Sequence, residues 1–160
     1  MATALSNLSD FNPNEVPSGK NYKVAIVVAE WNSQITEGLF LGAKEALIAC
    51  GMQEENILRS NVPGSFELVF GAKKALTKAV DAVIVIGSVI QGETKHFDFV
   101  CQGVTQGIVS LNLSSDRPVV FCVLTDNTLQ QAIDRSGGQH GNKGVEAAIT
   151  ALKMIALAKQ

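Results

Sequence analysis

The stretch "DAVIVIGSVIQGETKHFDF", residues 81–99, decides the fold because it passes from a core strand through a polar turn into a helix. Residues 81–90 are a continuous apolar run rich in β-branched side chains, which is typical of a strand that helices cover on both faces. The turn then gathers a glycine, a carboxylate, a hydroxyl, a cation and a histidine. The stretch therefore predicts the central strand of a parallel sheet, with a polar site at its carboxyl end.

The same alternation of strand and helix recurs on both sides of this stretch. Strands are predicted where short β-branched runs are bounded by turn residues, and helices where apolar residues recur every three or four positions. The predicted strands are 22–30, 56–62, 81–90 and 117–126. The predicted helices are 32–50, ended by a left-handed Gly51, then 65–79, 96–111, 128–135 and 143–158, with the break "SGGQHGN" before the last.

Short connections between alternating strands and helices predict a parallel sheet between two helical layers. We therefore predict an α/β protein with a three-layer α/β/α sandwich around a four-stranded parallel sheet, in a flavodoxin-like architecture. Within residues 1–20, Pro13, Pro17 and Gly19 argue against helix. This N-terminal arm is either a disordered tail or an edge strand added to a neighbouring subunit's sheet, and residues 21–160 form the domain.

Composition excludes several classes of function. A chain of 160 residues suits one domain with a substantial core, and a net charge of −2 does not provide the basic surface that nucleic acid requires. Three cysteines without CxxC spacing lie in apolar runs, which indicates buried thiols in a reducing compartment and no metal site. The sequence shows no secretory signal or membrane-spanning run and neither a GxGxxG nor a P-loop motif, so we expect a cytoplasmic protein outside those nucleotide-binding classes.

The polar turn after the central strand is a candidate anion site. Gly92 permits a tight bend, after which the amides of Glu93 and Thr94 lie at a helix N-terminus, where unpaired N–H groups attract anions. The alternative is an ordinary strand-to-helix turn that Thr94 caps. His96 follows at the start of the helix; imidazole suits proton transfer, although a surface histidine is the alternative.

Other strand and helix ends also carry candidate residues. Trp31 follows the first strand and either pads the core or stacks on a planar heterocycle. Phe66 and Glu67 in "PGSFE" place a ring beside a carboxylate, or simply begin a helix with an acidic residue. Arg135 is either a solvated cation at a helix end or a bidentate phosphate ligand. His140 lies in the glycine-rich break and is predicted to be a surface residue.

Four motifs, in this order, resemble the 6,7-dimethyl-8-ribityllumazine synthase family of riboflavin biosynthesis. They are "AEWN", "VPGSFEL", "GSVIQGETKHFD" and "QQAIDRSGGQHGNKG", and the likeness runs from about residue 22 to the C-terminus. The third motif is the specific one. The resemblance implies that 5-amino-6-(D-ribitylamino)uracil condenses with 3,4-dihydroxy-2-butanone 4-phosphate to give the lumazine, phosphate and water. It also implies that no metal or organic cofactor takes part.

The resemblance further implies roles for individual residues. His96 matches the residue that transfers protons. The residues matching the ribitylaminouracil site are Trp31, which stacks on the pyrimidine, Ser65, Phe66 and Glu67 on the ribityl chain, Ser88, Val89 and Ile90 as backbone contacts, and Phe121 as an apolar wall. The residues matching the butanone phosphate site are Gly92, Glu93, Thr94 and Arg135.

The family assembles as pentamers with active sites between neighbouring subunits. The resemblance implies that Phe121 and Arg135 come from the subunit next to the one that supplies Trp31 and Glu67. Some members form an icosahedral 60-subunit shell, for which riboflavin synthase is the candidate enclosed partner. The short "SGGQHGN" break is of the length that we associate with shell-forming members.

Three departures from the common family pattern matter for the alternatives: Trp31 replaces Phe, and Ser65 and Glu93 replace Ala. Stronger stacking on Trp31 would favour retention of riboflavin or FMN. One rival is therefore a non-catalytic flavin-binding or shell-forming protein, which would not need His96. A second rival, a flavodoxin-like signalling domain, would need clustered acidic residues at its strand ends, and the sequence does not place them there.

Overall fold

A four-stranded parallel sheet forms the centre of the protein, seen in a computed structural model that describes residue 7 and residues 9–160. Its strands are β1 (Val24–Ala29), β2 (Ile57–Val62), β3 (Ala82–Ile90) and β4 (Val119–Asp126), in the order β2-β1-β3-β4. All three strand pairings are parallel. Every residue of β1 is buried, as expected for a central strand whose two faces both meet helices.

Helices cover both faces of the sheet. The helices are α1 (Ser33–Ala49), α2 (Leu68–Ala75), α3 (His96–Ser114), α4 (Leu129–Arg135) and α5 (Lys143–Ala158). One core cluster joins α1, α4 and α5 to the face of β1 that carries Ile26, and a second joins α2 and α3 to the face that carries Val27. The predicted three-layer α/β/α sandwich of flavodoxin-like type is therefore confirmed.

The predicted second helix was too long at both ends. It was placed at 65–79, whereas α2 spans Leu68–Ala75, and Ala79 is exposed. The Thr77 hydroxyl donates to the Lys74 carbonyl oxygen at 2.8 Å and closes the final turn. Val80, which is 5% exposed, then enters the core instead. Side-chain hydrogen bonding at Thr77 thus ends a helix that the apolar spacing alone would continue.

The glycine-rich break forms a small hairpin that the sequence did not predict. Strand β5 (Ser136–Gly138) pairs antiparallel with β6 (Gly141–Asn142). Asn142 caps α5 by accepting from Gly144 N–H at 2.8 Å. Its Nδ2 donates to the carbonyl oxygens of Gly38, at 2.8 Å, and Ser136, at 3.2 Å. One buried side chain therefore ties the hairpin, α1 and α5 together.

The described part of the N-terminal arm lies against its own subunit. Phe11 and Val16 pack on the core cluster that contains α1 and α5, and Ser9 Oγ accepts from Asn142 N–H at 2.9 Å. One turn of 3-10 helix covers Pro13–Glu15, so the expectation of no helix before residue 20 is wrong for that turn. Residues 7 and 9–20 form no β-strand, while residues 1–6 and 8 lie outside the described residues.

The cysteines behave as small apolar side chains. All three are free; Cys50 and Cys122 are buried and Cys101 is half-buried. Burial raises the pKa of Cys122 to about 12. Among residues 7 and 9–160, no group of three or more His, Cys, Asp or Glu side chains is arranged to hold a metal ion. In the same residues, no helix combines the length and apolarity needed to cross a bilayer.

Gly107 marks the close approach of α2 and α3. A Cβ at Gly107 would lie 2.4 Å from Val69 Cγ2 on the turn of α2 that faces α3. Because a valine side chain is rigid, Gly107→Ala must push α2 and α3 apart. We expect a loss of about 1–3 kcal/mol in the free energy of unfolding, as for overpacking in cores.

Thermal denaturation followed by circular dichroism measures this effect. Gly92→Ala is the matched control, because no atom lies within 4 Å of an added Cβ there. A melting temperature for Gly107→Ala equal to that of Gly92→Ala would show that the helix contact is not tight.

Candidate active site

A cavity of about 410 Å³ opens at the carboxyl ends of β1 and β3. The helices next to this point lie on opposite faces of the sheet: α1, which follows β1, covers one face, and α2, which precedes β3, covers the other. Such a switch point leaves a crevice in which α/β proteins bind ligands. The residues that line the cavity are Trp31, Asn32, Ser65, Phe66, Glu67, Ser88, Val89, Ile90, His96, Phe99 and Val100.

Trp31 lies on the rim of this cavity and does not pad the core. Its side chain is 68% exposed, and its ring packs over Gly64 in the turn after β2. The backbone of that turn is held in place, since Trp31 N–H donates to the Pro63 carbonyl oxygen at 3.1 Å. An exposed indole ring held at a cavity mouth can stack on a flat ligand.

Asn32 is a cavity residue that the sequence did not single out. It adopts the left-handed conformation with φ of 58°, which Asn tolerates better than most residues. Its side chain makes no capping bond to α1. Nδ2 instead donates to the Ser88 carbonyl oxygen at 2.9 Å, which fixes the end of β1 against the end of β3. The signal that could have found it is the residue type itself, three residues after the end of β1.

The "SFE" segment before α2 supplies one wall of the cavity. Ser65 is buried against β3 at Gly87, whereas Phe66 is 58% exposed and its ring contacts the backbone of α3 at Gly103. Glu67 is exposed beside this ring. The segment therefore offers a hydroxyl, an aromatic face and a carboxylate to one ligand.

The end of β3 forms the floor. Val89 and Ile90 are half-buried there, and Ser88 is 4% exposed. The Ser88 hydroxyl has no hydrogen-bond partner among the described residues. Because the strand ends here, its last backbone groups face the cavity and can bond a heterocycle edge.

The turn between β3 and α3 remains open to solvent in the single subunit. Gly92, Glu93 and Thr94 are exposed, and no acceptor among the described residues bonds the N–H groups of Glu93 or Thr94. Thr94 Oγ1 accepts from His96 N–H at 3.4 Å, but the residue at the N-cap position of α3 is Lys95, whose side chain makes no capping bond. The backbone amides of this turn are free, which leaves the anion-binding alternative physically available.

His96 begins α3 and is exposed, with its side chain on the cavity wall. The helix therefore presents an imidazole beside the same opening that Trp31 and Phe66 border. A proton carrier next to a stacking platform permits acid–base chemistry on a bound heterocycle.

Phe121 and Arg135 lie elsewhere in the subunit. They line a wider groove of about 860 Å³ along β4, the edge strand, together with Asn127, His140 and Lys143. Arg135 Nη1 donates to the Gln131 carbonyl oxygen at 3.0 Å and lies 3.8 Å from Asp126 Oδ1. His140 is half-buried in this groove and is not the plain surface residue that was predicted.

The two openings together contain every predicted site residue except the three of the exposed turn. One subunit brings Trp31, the "SFE" segment, the end of β3 and His96 into one cavity. It does not bring Phe121 or Arg135 there, because β4 exposes its free edge away from β1. Each opening therefore carries only part of the predicted site residues, and we call these two partial sets the two half-sites.

Comparison with known proteins identifies the family. The family model described as 6,7-dimethyl-8-ribityllumazine synthase matches residues 21–159. Proteins of that name from Flavobacterium johnsoniae and Flavobacterium psychrophilum are 64% and 61% identical to all of this chain, which covers 85% of each. The namesake from Christiangramia forsetii is 59% identical over 99% of this chain and 96% of its own length. The chain belongs to the 6,7-dimethyl-8-ribityllumazine synthase family.

Proposed function

We propose that the chain condenses 5-amino-6-(D-ribitylamino)uracil with 3,4-dihydroxy-2-butanone 4-phosphate to form 6,7-dimethyl-8-ribityllumazine, phosphate and water. This is the penultimate step of riboflavin biosynthesis, and it makes the protein a transferase of the cytoplasm. Family membership over residues 21–159 supports the reaction. The observation that carries it is the cavity in which Trp31 and His96 meet the end of β3.

The residues of the cavity have distinct roles in this proposal. Trp31 stacks on the pyrimidine, and the backbone of Ser88, Val89 and Ile90 bonds the uracil edge. The ribityl hydroxyls meet Ser65 and Glu67, with Phe66 as an apolar contact. A polyol needs such a mixed wall, because a hydroxyl buried without a partner is strongly disfavoured.

The second substrate binds at the turn after β3. The free amides of Glu93 and Thr94 hold the phosphate, Gly92 allows the close approach, and Arg135 of a neighbouring subunit pairs with it. His96 then moves protons during imine formation, phosphate elimination and dehydration. Holding two small substrates face to face provides most of the acceleration.

The decisive experiment mixes the purified protein with both substrates and follows two products. We expect lumazine absorbance and inorganic phosphate to appear together, in equal amounts and only when both substrates are present. Phosphate release without lumazine, or neither product, would exclude the proposed reaction.

The alternative of a non-catalytic flavin-binding or shell-forming protein is weaker. Such a protein would need the exposed Trp31, but it would not need a histidine on the cavity wall, where His96 lies. The three relatives above are all named as the synthase. A yellow purified sample that lacks turnover would favour this alternative, whereas a yellow sample with turnover would add flavin retention to the enzyme.

The two half-sites support a homo-oligomer with active sites between subunits. We propose a pentamer in which Phe121 and Arg135 complete the cavity of the next subunit, and a shell of 60 subunits as its further assembly, with riboflavin synthase as the enclosed partner. The groove runs along β4, an edge strand, and proteins commonly cover the unpaired backbone groups of such a strand with another element or subunit.

We propose that the N-terminal arm adds to a neighbour's sheet, so removal of residues 1–20 is expected to lower the number of subunits in the assembly. Mass photometry of the full and shortened chains measures this change. The matched control is Phe11→Ala in the full chain, which weakens the arm's contact with its own core and leaves the arm present. If the shortened chain assembles with the same number of subunits as the full chain, the arm has no role between subunits.

A further inference from the structure

Asp126 is a buried carboxylate for which the proposed reaction has so far given no role. It ends β4, lies on the wall of the β4 groove and is 8% exposed. Oδ1 is 3.8 Å from Arg135 Nη1, and Oδ2 is buried with no hydrogen-bond partner among the described residues. Buried carboxylates retained for folding normally have both oxygens hydrogen-bonded, so this one requires a different explanation.

Arg135 is the charged group that offsets the burial of Asp126. Burial raises the pKa of Asp126, and the positive charge of Arg135 acts against that rise. The backbone of Asp126 is fixed as well, because its carbonyl oxygen accepts from Gln91 N–H at 2.9 Å. The carboxylate therefore projects from a fixed backbone at the end of β4, whereas Arg135 reaches it through a longer side chain.

Contacts on one side of the guanidinium leave its other edge free. Nη1 donates to the Gln131 carbonyl oxygen and faces Asp126. Gln131 is itself held, since its Oε1 accepts from Asn127 N–H at 2.9 Å. Among the described residues, Nη2 and Nε have no hydrogen-bond partner, and these two donors form the edge that binds a phosphate in bidentate geometry.

We infer that Asp126 is a positioning residue for phosphate recognition: it holds Arg135 Nη1 so that the Nε–Nη2 edge faces the phosphate of the butanone substrate. This role rests on the proposed function, in which Arg135 pairs with that phosphate. A carboxylate near a phosphate site would otherwise repel the ligand, so its presence is explained by orientation and not by charge.

The direction in which the inhibition constant of inorganic phosphate changes distinguishes an orienting role of Asp126 from simple repulsion of the phosphate. Asp126→Asn removes a negative charge and nearly preserves shape. If Asp126 orients Arg135, the KM for the butanone phosphate and the inhibition constant of inorganic phosphate should both rise, roughly three- to tenfold. The KM for ribitylaminouracil should stay unchanged. A tighter inhibition constant would show that Asp126 only repels phosphate, and would overturn the inference.

Asp134→Asn is the matched control, because it removes the same charge from the residue next to Arg135. Its Oδ1 accepts from Gln130 Nε2 at 2.9 Å and makes no contact with the guanidinium. Phosphate inhibition of this variant should equal that of the unchanged protein. If Asp126→Asn does not fold, Asp126→Glu replaces it, since the longer carboxylate displaces Nη1 and predicts the same phosphate-specific rise.

A double-mutant cycle distinguishes this inference from the proposed function. In an Arg135→Ala background, Asp126→Asn should cause no further change in phosphate inhibition, because there is no guanidinium left to orient. An undiminished effect in that background would overturn the positioning role alone. If Arg135→Ala itself leaves phosphate binding unchanged, the proposed role of Arg135 fails, and the positioning role fails with it.

Discussion

His96→Ala is expected to lower kcat by about 10²–10⁴-fold, the contribution typical of one general acid–base residue. Imine formation, elimination of phosphate and dehydration each require a proton to move, and His96 is the one imidazole on the cavity wall among the described residues. The variant should remain measurably active, because the cavity still holds both substrates together. Single-turnover measurements at saturating substrates report this loss directly.

The KM values of His96→Ala should change little, because the imidazole acts on atoms in the transition state and not on binding alone. Gln102→Ala is the control: Gln102 is exposed on the same helix and lines neither opening. Wild-type kcat in His96→Ala would remove the proton-transfer role.

Arg135→Ala is expected to weaken binding of the butanone phosphate by roughly 10- to 150-fold, which corresponds to about 1.5–3 kcal/mol for charge-assisted hydrogen bonds. The KM for ribitylaminouracil should be nearly constant, since the proposed contact is with phosphate alone. Steady-state kinetics with each substrate varied in turn separates the two constants.

Arg135→Lys tests the geometry of this contact. Lysine keeps the charge but not the planar fork, so we expect an intermediate KM for the butanone phosphate. Lys153→Ala removes one positive charge from the exposed surface of α5 and should leave that KM unchanged. If Arg135→Ala also leaves it unchanged, Arg135 does not contact the phosphate.

The same two variants test whether the site is shared between subunits. Co-expressed His96→Ala and Arg135→Ala chains would form some sites that combine an intact His96 from one subunit with an intact Arg135 from the next. Activity above the average of the two separate variants would support a shared site. Activity no higher than that average would place all catalytic groups within a single chain.

Much of the fold follows from local patterns. The run Val24–Ala29 is apolar at every position and forms a strand buried on both faces, as predicted. The last helix spans Lys143–Ala158, the predicted range. At 65–79 the prediction was too long, because Thr77 hydrogen-bonds to the preceding turn and apolar spacing does not contain that information.

The sequence predicted which residues belong to the candidate site better than it predicted how they are arranged. Residue types at strand ends, together with the family motifs, selected Trp31, Phe66 and His96, and the structure places all three on one cavity. Asn32 and Asp126 were missed as site residues. Asn32 bonds the Ser88 carbonyl oxygen on another strand, and Asp126 faces Arg135 on the helix that follows β4. Local sequence patterns do not report either contact.

The sequence by itself determined the order of strands and helices along the chain, the residue types at each strand end and the family. These features depend on periodicity and motifs, which involve residues close together in the sequence. Only the tertiary structure decided that β1 lies beside β3 and that β4 is an edge. This arrangement puts Trp31 and His96 on one opening and Arg135 on another. The reason is physical: strand order and burial arise from packing between residues far apart in the chain, which local patterns do not specify.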